Sequence, residues 1–143
     1  MAKIPVSAGL LVFRVNNLGI REFLLVHPSG GYHRKSPYYI PKGKIEEGET
    51  EQEAAIRETY EETGITANIV ADLGSITYKS KSKKVRGFLA KLTSGEILEN
   101  GIVDWPDWEN DIKRFVPEEV ARKLLREEMQ VFLDRANAYL RKL

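Results

Sequence analysis

The first part of the chain alternates runs of apolar, β-branched residues with short polar breaks. Residues 5–15 and 21–27 are apolar enough to form two strands. Between them, Asn16, Asn17 and Gly19 are residue types that interrupt a strand and favour a turn. The pattern therefore predicts a β-hairpin with a loop of several residues.

A helix and two more strands are predicted next. The helix is expected to begin near Thr50, because Glu53 completes a capping-box pattern with it. It is expected to end at Gly64, since glycine is common just past a helix C-terminus. Residues 65–78 and 84–93 then have the composition of strands, separated by a charged segment.

The last part of the chain predicts a second helix. Pro117 suits the first helical position, and the two acidic residues after it suit the positive end of the helix dipole. We expect one long helix from this proline onward. Its apolar residues recur at helical spacing and predict a core-facing stripe made of Leu125, Met129, Phe132, Ala136, Tyr139 and Leu143. Residues 104–116, which contain two tryptophans, match no element clearly.

The order of these elements predicts the fold class. Strands, helix, strands and helix together indicate an α/β (α+β) chain, arranged as an α/β/α sandwich with a mixed β-sheet between helices. A length of 143 residues favours a single domain, residues 1–143, with a core of its own.

Composition excludes several classes of function. The chain has no cysteine, which excludes disulfides and thiolate sites, and its only histidines, His27 and His33, make a zinc site improbable. A net charge of +1 argues against a DNA-binding protein. No apolar run approaches the roughly 18 residues of a membrane span, and the N-terminus lacks a signal-peptide core. A cytoplasmic protein that does not bind membranes is the expectation.

Three glutamates on the predicted helix indicate a metal site. Glu58 and Glu62 are four residues apart and Glu61 lies between them, so the three share one helix face. Like charges at this spacing repel by roughly a few tenths of a kcal/mol per pair. A divalent cation would reverse that repulsion, and Mg²⁺ prefers carboxylate oxygens together with substrate phosphates. The alternative is an ordinary solvated face on a glutamate-rich helix.

The other positions of this helix lead to further expectations. Ile56, Tyr60 and Thr63 fall opposite the glutamates and are expected to meet the core. Ala54 and Ala55 flank the glutamates, where their small size leaves room for something to approach.

Arg57 and Glu49 suggest a tie between this helix and the loop before it. Glu49 lies just before the helix, so the two side chains could form an ion pair that fixes the loop.

Residues 43–65 resemble the Nudix box. Its pattern is Gly-x5-Glu-x7-Arg-Glu-U-x-Glu-Glu-x-Gly-U, in which U is a bulky apolar residue. Every fixed position is matched, by Gly43, Glu49, Arg57, Glu58, Glu61, Glu62 and Gly64. Thr59 occupies the first U position and Ile65 the last. So long a pattern is far more specific than a short motif.

The resemblance implies a hydrolase that cleaves a nucleoside diphosphate linked to another moiety, with Mg²⁺ or Mn²⁺ as cofactor. By the same resemblance, Glu58 and Glu62 would ligate the metal directly, Glu61 directly or through water, and Gly43 through its backbone carbonyl. Arg57 and Glu49 would be structural partners within the catalytic site.

The resemblance leaves the general base open. Glu61 is our first choice, and Glu96 and Glu99, on a later loop, are the alternatives, although ordinary surface glutamates are expected at the last two positions.

Residues outside the box resemble the diadenosine polyphosphate hydrolase branch of this family. Lys42 lies in a Pro-Lys-Gly sequence preceded by tyrosines, and Tyr78 is a candidate for stacking a base. Lys79 and Lys83 belong to a basic cluster that could hold a long polyphosphate or could be a solvated hairpin tip. Arg34, in the loop before the box, is a hypothetical phosphate contact.

The small-molecule substrate favoured by this likeness is a dinucleoside polyphosphate such as diadenosine tetraphosphate. The alternatives are a nucleoside triphosphate or nucleotide-sugar pyrophosphatase and, from another class, a non-catalytic nucleotide-sensing module. The C-terminal apolar stripe could also serve a homodimer.

Overall fold

The computed structural model describes residues 4–31 and 35–142. Its strands are β1 (Val6–Val15), β2 (Arg21–Pro28), β3 (Lys42–Lys44), β4 (Thr66–Thr77), β5 (Lys84–Ser94) and β6 (Asn110–Pro117). Its helices are α1 (Glu51–Thr63), α2 (Glu118–Leu124) and α3 (Gln130–Leu140). None of the helices in these described ranges is long and apolar enough to cross a membrane.

The strands form one mixed sheet around β1. The strand order is β4-β5-β1-β2-β6, and the short β3 also pairs with β1. Strand β1 runs parallel to β5 and antiparallel to both β2 and β3. The predicted hairpin between the first two strands is therefore confirmed. The pairing of β3 beside the start of β1 places Gly43 next to the sheet centre.

Helices cover both faces of this sheet. Alternate residues of a strand point to opposite faces. Along β1, Leu10 and Val12 pack on the α1 side, whereas Leu11 and Phe13 pack on the side of α2 and α3. The α/β/α sandwich with a mixed sheet is confirmed.

The ends of α1 are as predicted. The Thr50 hydroxyl accepts a hydrogen bond from the Glu53 backbone N–H, and the Glu53 carboxylate accepts one from the Thr50 N–H. Gly64 ends the helix with φ of 67°, a left-handed conformation that glycine adopts without steric cost.

The expected core face of α1 is partly wrong. Ile56 and Tyr60 are 41% and 47% exposed, whereas Thr63 is buried as expected. Ala54 and Ala55 are fully buried against the sheet, so strand residues occupy the space beside these small side chains. The helix is rotated so that small side chains, rather than bulky ones, face the strands.

The prediction of a single long C-terminal helix is also wrong. Leu125 has extended backbone angles and separates α2 from a one-turn 3₁₀ helix at Glu127–Met129, after which α3 begins. The Tyr38 N–H donates to the Leu124 carbonyl, and the Arg126 N–H donates to the Tyr38 carbonyl. These strand-like bonds to a distant segment replace the helical bonds, so tertiary pairing overrides local propensity. The apolar stripe is nevertheless buried from Leu125 to Ala136, and Leu143 lies outside the described residues.

Candidate active site

Gly43 and Glu58 bring strand β3 and helix α1 into direct contact. A Cβ atom added at Gly43 would overlap the Glu58 carboxyl group, so any larger residue there would displace that carboxylate. The Glu58 carboxyl is largely buried by this approach, and burial raises its pKa although the Arg57 guanidinium lowers it. The box glycine is therefore needed for space at the carboxylate.

Arg57 ties the loop before α1 to the helix. Its Nε and Nη2 donate to the two carboxylate oxygens of Glu49, at 2.7 and 3.0 Å. Nη2 also donates to the Lys44 carbonyl at 2.9 Å. Nη1 donates to Glu58 at 2.9 Å and to Glu61 at 3.2 Å. The pairing of Arg57 with Glu49 is present as predicted, and these carboxylates raise the pKa of the guanidinium further.

Glu62 is a buried carboxylate that faces β3 and β6. It is 8% exposed. Its Oε2 accepts from the Lys42 backbone N–H at 2.9 Å, and its Oε1 accepts from the Asn110 side-chain amide at 3.2 Å. Burial, together with the nearby Glu58 charge, raises the pKa of Glu62 to about 8. A cation near these carboxylates would favour their charged forms.

The acidic groups fit a divalent cation through their chemistry. Among residues 4–31 and 35–142, no three acidic or histidine side chains converge closely enough to hold an ion as placed. The Arg57 guanidinium lies between Glu58 and Glu61 and satisfies both. Even so, Glu58 and Glu62 are oxygen donors of the type that Mg²⁺ prefers, they are partly desolvated, and the charge of Glu58 raises the pKa of Glu62.

A cleft of about 780 Å³ opens beside these glutamates. It is lined by Glu58, Glu61, Glu62, Pro106, Asp107, Trp108 and Glu109. The last four come from the segment before β6, for which the sequence pattern predicted no clear element. Its dense acids beside two tryptophans are the signal that could have found it.

A second cleft of about 280 Å³ shares Glu62 and Glu109 with the first. Lys42, Lys83, Tyr39 and Tyr78 contribute to its wall. Burial, together with the neighbouring Lys83 charge, lowers the pKa of Lys42 to about 8. Two adjoining ammonium groups of this kind favour an anionic ligand.

Other predicted site residues lie elsewhere. Lys79 is exposed and pairs with Glu127 at 2.9 Å, away from both clefts. Glu99 lines a separate cleft near Arg14, and Glu96 lines neither cleft around Glu62. Arg34 lies outside the described residues.

Comparisons with known proteins agree with this fold. A family model described as the NUDIX domain matches residues 3–136. The crystal structure of a C. elegans Ap4A hydrolase binary complex superposes with a TM-score of 0.81 at 30% identity, covering 98% of this chain and 100% of that chain.

Two curated relatives match parts of the chain. An asymmetrical bis(5'-nucleosyl)-tetraphosphatase of Rattus norvegicus is 46% identical over 68 residues, 43% of this chain and 44% of that protein. An 8-oxo-(d)GTP phosphatase of Mycolicibacterium smegmatis is 43% identical over 77 residues, 52% of this chain and 24% of that protein. The chain thus spans less than half the length of either relative. Since the family model covers nearly the whole chain, this protein belongs to the NUDIX domain family.

Proposed function

We propose that this chain hydrolyses dinucleoside polyphosphates with a bound divalent cation, with diadenosine tetraphosphate as the best substrate. The observation that carries the proposal is the meeting of an acidic cleft and a lysine-lined cleft at Glu62. A long polyphosphate needs positive charge over several phosphates, from a metal at one end and ammonium groups at the other. The likeness to the C. elegans Ap4A hydrolase supports this substrate class.

The box residues have separate roles in this proposal. Glu58, Glu61, Glu62 and the Gly43 carbonyl would hold Mg²⁺ or Mn²⁺. When bound, the metal neutralises charge on the diphosphate and lowers the pKa of a bound water. Arg57 fixes the loop through Glu49 and thereby positions the metal-binding residues.

Other side chains act on the substrate and its attacking water. Lys42 and Lys83 bind phosphate oxygens in the second cleft. Glu61 is our first choice as general base, and Glu109 replaces Glu96 and Glu99 as the alternative because it faces the same cleft. Because Glu61 also belongs to the proposed metal site, the base is identified by the glutamine variant that removes the acidic limb of the kcat–pH profile at saturating metal.

A second candidate function is hydrolysis of an oxidised nucleoside triphosphate. The similarity to the mycobacterial 8-oxo-(d)GTP phosphatase favours it, because the match is 43% identical. A triphosphate would need the same metal but fewer contacts in the lysine-lined cleft.

A hydrolysis panel with Mg²⁺ tests the proposal. It includes diadenosine tetraphosphate, unmodified and oxidised nucleoside triphosphates, ADP-ribose and nucleotide sugars. We expect the highest kcat/KM for diadenosine tetraphosphate. Glu62→Gln should lower it by about 10³-fold, which corresponds to about 4 kcal/mol of transition-state stabilisation.

Glu53→Gln is the matched control on the same helix. It makes the same chemical change, and glutamine preserves the capping box, so activity should stay within about twofold. If oxidised triphosphates are cleaved best, the second candidate replaces the first. Binding of nucleotide without cleavage would support a nucleotide-sensing module instead.

A further inference from the structure

Tyr78 cannot offer its ring as a stacking surface for a base. It is 6% exposed and belongs to the core on the α3 side of the sheet. The Arg126 guanidinium lies 3.8 Å from the ring centroid and covers one face. Arg126 is itself held by Glu128 at 3.0 Å and donates to the Tyr39 hydroxyl at 3.3 Å. The base platform must therefore be sought elsewhere.

The hydroxyl of Tyr78 is enclosed by the protein as well. It is buried and has no hydrogen-bond partner within the part of the chain that the structure describes. Tyr78 contributes to the wall of the lysine-lined cleft without exposing its hydroxyl there. Lys42 and Lys83 are the basic groups of this second cleft, and they suit it to a phosphate ligand.

Trp108, unlike Tyr78, is exposed to solvent. The residue is 85% exposed, although tryptophan is mostly buried in folded proteins. It lines the larger cleft together with Pro106 and the box glutamates. An exposed indole beside a phosphate-type site is what base stacking requires, since every nucleobase has a π-face that an aromatic ring can cover.

The segment that carries Trp108 is anchored on both sides to the box helix. The Trp105 indole N–H donates to the Glu61 carbonyl at 3.0 Å. The Asn110 amide donates to Asp107 at 2.9 Å and to Glu62 at 3.2 Å. These bonds hold the segment on both sides of Trp108 close to Glu61 and Glu62.

We propose that Trp108 is the platform on which a nucleobase of the substrate stacks, and that the polyphosphate runs from there past Glu62 towards Lys42 and Lys83. This inference rests on the proposed nucleotide substrate. It assigns base recognition to the larger cleft and phosphate recognition to the smaller one. Trp108 is then a specificity-determining residue, whereas the Tyr78 ring is not.

Trp108→Ala and Trp108→Phe test the assignment against Leu18→Ala. Leu18 is a similarly exposed apolar residue on the β1–β2 turn, remote from both clefts. Loss of one stacked base should raise KM for diadenosine tetraphosphate by about 10- to 100-fold in Trp108→Ala, with kcat nearly unchanged. Trp108→Phe should recover most of this loss, and Leu18→Ala should match the wild type.

A substrate without a base separates stacking from general damage. The affinity for inorganic tripolyphosphate with Mg²⁺ should be equal in the wild type and Trp108→Ala. Nucleotide should also quench tryptophan fluorescence in the wild type and not in Trp108→Phe, which retains Trp105. The inference would be overturned if Trp108→Ala left KM unchanged and nucleotide quenched Trp108→Phe as strongly as the wild type. It would also be overturned if Trp108→Ala weakened tripolyphosphate binding as much as it weakened binding of the dinucleotide.

The fluorescence measurement is independent of turnover. If the wild type cleaves no dinucleoside polyphosphate but nucleotide still quenches Trp108, the base platform stands and the proposed reaction fails. If cleavage depends on Glu62 but not on Trp108, the reaction stands and the platform fails.

Discussion

Helices α1 and α3 cover opposite faces of the same sheet, and they pack against it with side chains of different size. Helix α1 buries Ala54, Ala55 and Thr59. Helix α3 buries Phe132, Leu133, Ala136 and Leu140. Small residues allow a helix backbone to lie near the strands, whereas large ones fill the space between helix and sheet.

The difference explains where the chemistry lies. Because α1 packs through small side chains, Glu58 reaches the backbone of Gly43 and Glu62 accepts a bond from the Lys42 N–H. The buried face of α1 thus carries carboxylates. The buried face of α3 is apolar, and its Phe132 ring packs against Gly87. One helix therefore positions the candidate active site, and the other supplies apolar burial.

Removing the largest buried ring of α3 should give the largest effect on stability. Phe132→Ala is expected to lower the free energy of unfolding by about 3–5 kcal/mol, because it deletes a fully buried side chain and leaves a cavity. Urea denaturation measures this change. At a temperature where the variant is folded, kcat/KM should stay within about twofold.

Val131→Ala is the control, because Val131 lies beside Phe132 and is 36% exposed. It should change stability by only a fraction of the Phe132→Ala effect. A large fall in activity of folded Phe132→Ala would show that packing on the α3 face of the sheet also affects the candidate active site on the α1 face.

A methyl group at Gly43 should damage the site more than the fold. Gly43→Ala places a Cβ within the Glu58 carboxylate, so kcat/KM is expected to fall about 100-fold, equivalent to about 2.7 kcal/mol. Steady-state kinetics measure this effect. Gly31→Ala is the matched control, since a Cβ added at Gly31 would have nothing within 4 Å, and it should leave activity unchanged. Equal activity of Gly43→Ala and Gly31→Ala would show that the close approach of Gly43 to Glu58 is not needed for activity.

The smallest effect should come from the N-terminus of α1. Thr50→Ala removes the side-chain cap and should cost about 1 kcal/mol of stability, whereas Thr50→Ser should restore most of it. Thermal unfolding of the three proteins measures the difference. Helix α3 has no side-chain cap. If Thr50→Ala were as stable as the wild type, the cap of α1 would not distinguish the two helices.

These contrasts also explain which parts of the fold could be predicted. The ends of α1 depend on local contacts of Thr50, Glu53 and Gly64, so the sequence pattern identified them. The break at Leu125 depends on hydrogen bonds to Tyr38, which lies far away in sequence, and no local pattern reveals it. Strand β6 likewise depends on pairing with β2.

The candidate site was predictable to the same extent. The box spacing brings Glu58, Glu61 and Glu62 together, because they lie on one helix. Glu109 and Trp108 join them only through the fold, so the sequence alone did not place them. Ile56 and Tyr60 were misplaced because the buried side of α1 contains glutamates, which reverses the usual pattern. The predicted homodimer and the cytoplasmic location stay predictions.

Mn²⁺ binding, measured by electron paramagnetic resonance, is the first experiment to make on the proposed metal site, since it needs no substrate. We propose that close packing of α1 on β3 builds a divalent-cation site at Glu58, Glu61 and Glu62. We expect the wild type and Glu53→Gln to bind Mn²⁺ with equal affinity, and Glu62→Gln to bind at least about tenfold more weakly. Equal binding by all three proteins, or no binding by the wild type, would contradict the account.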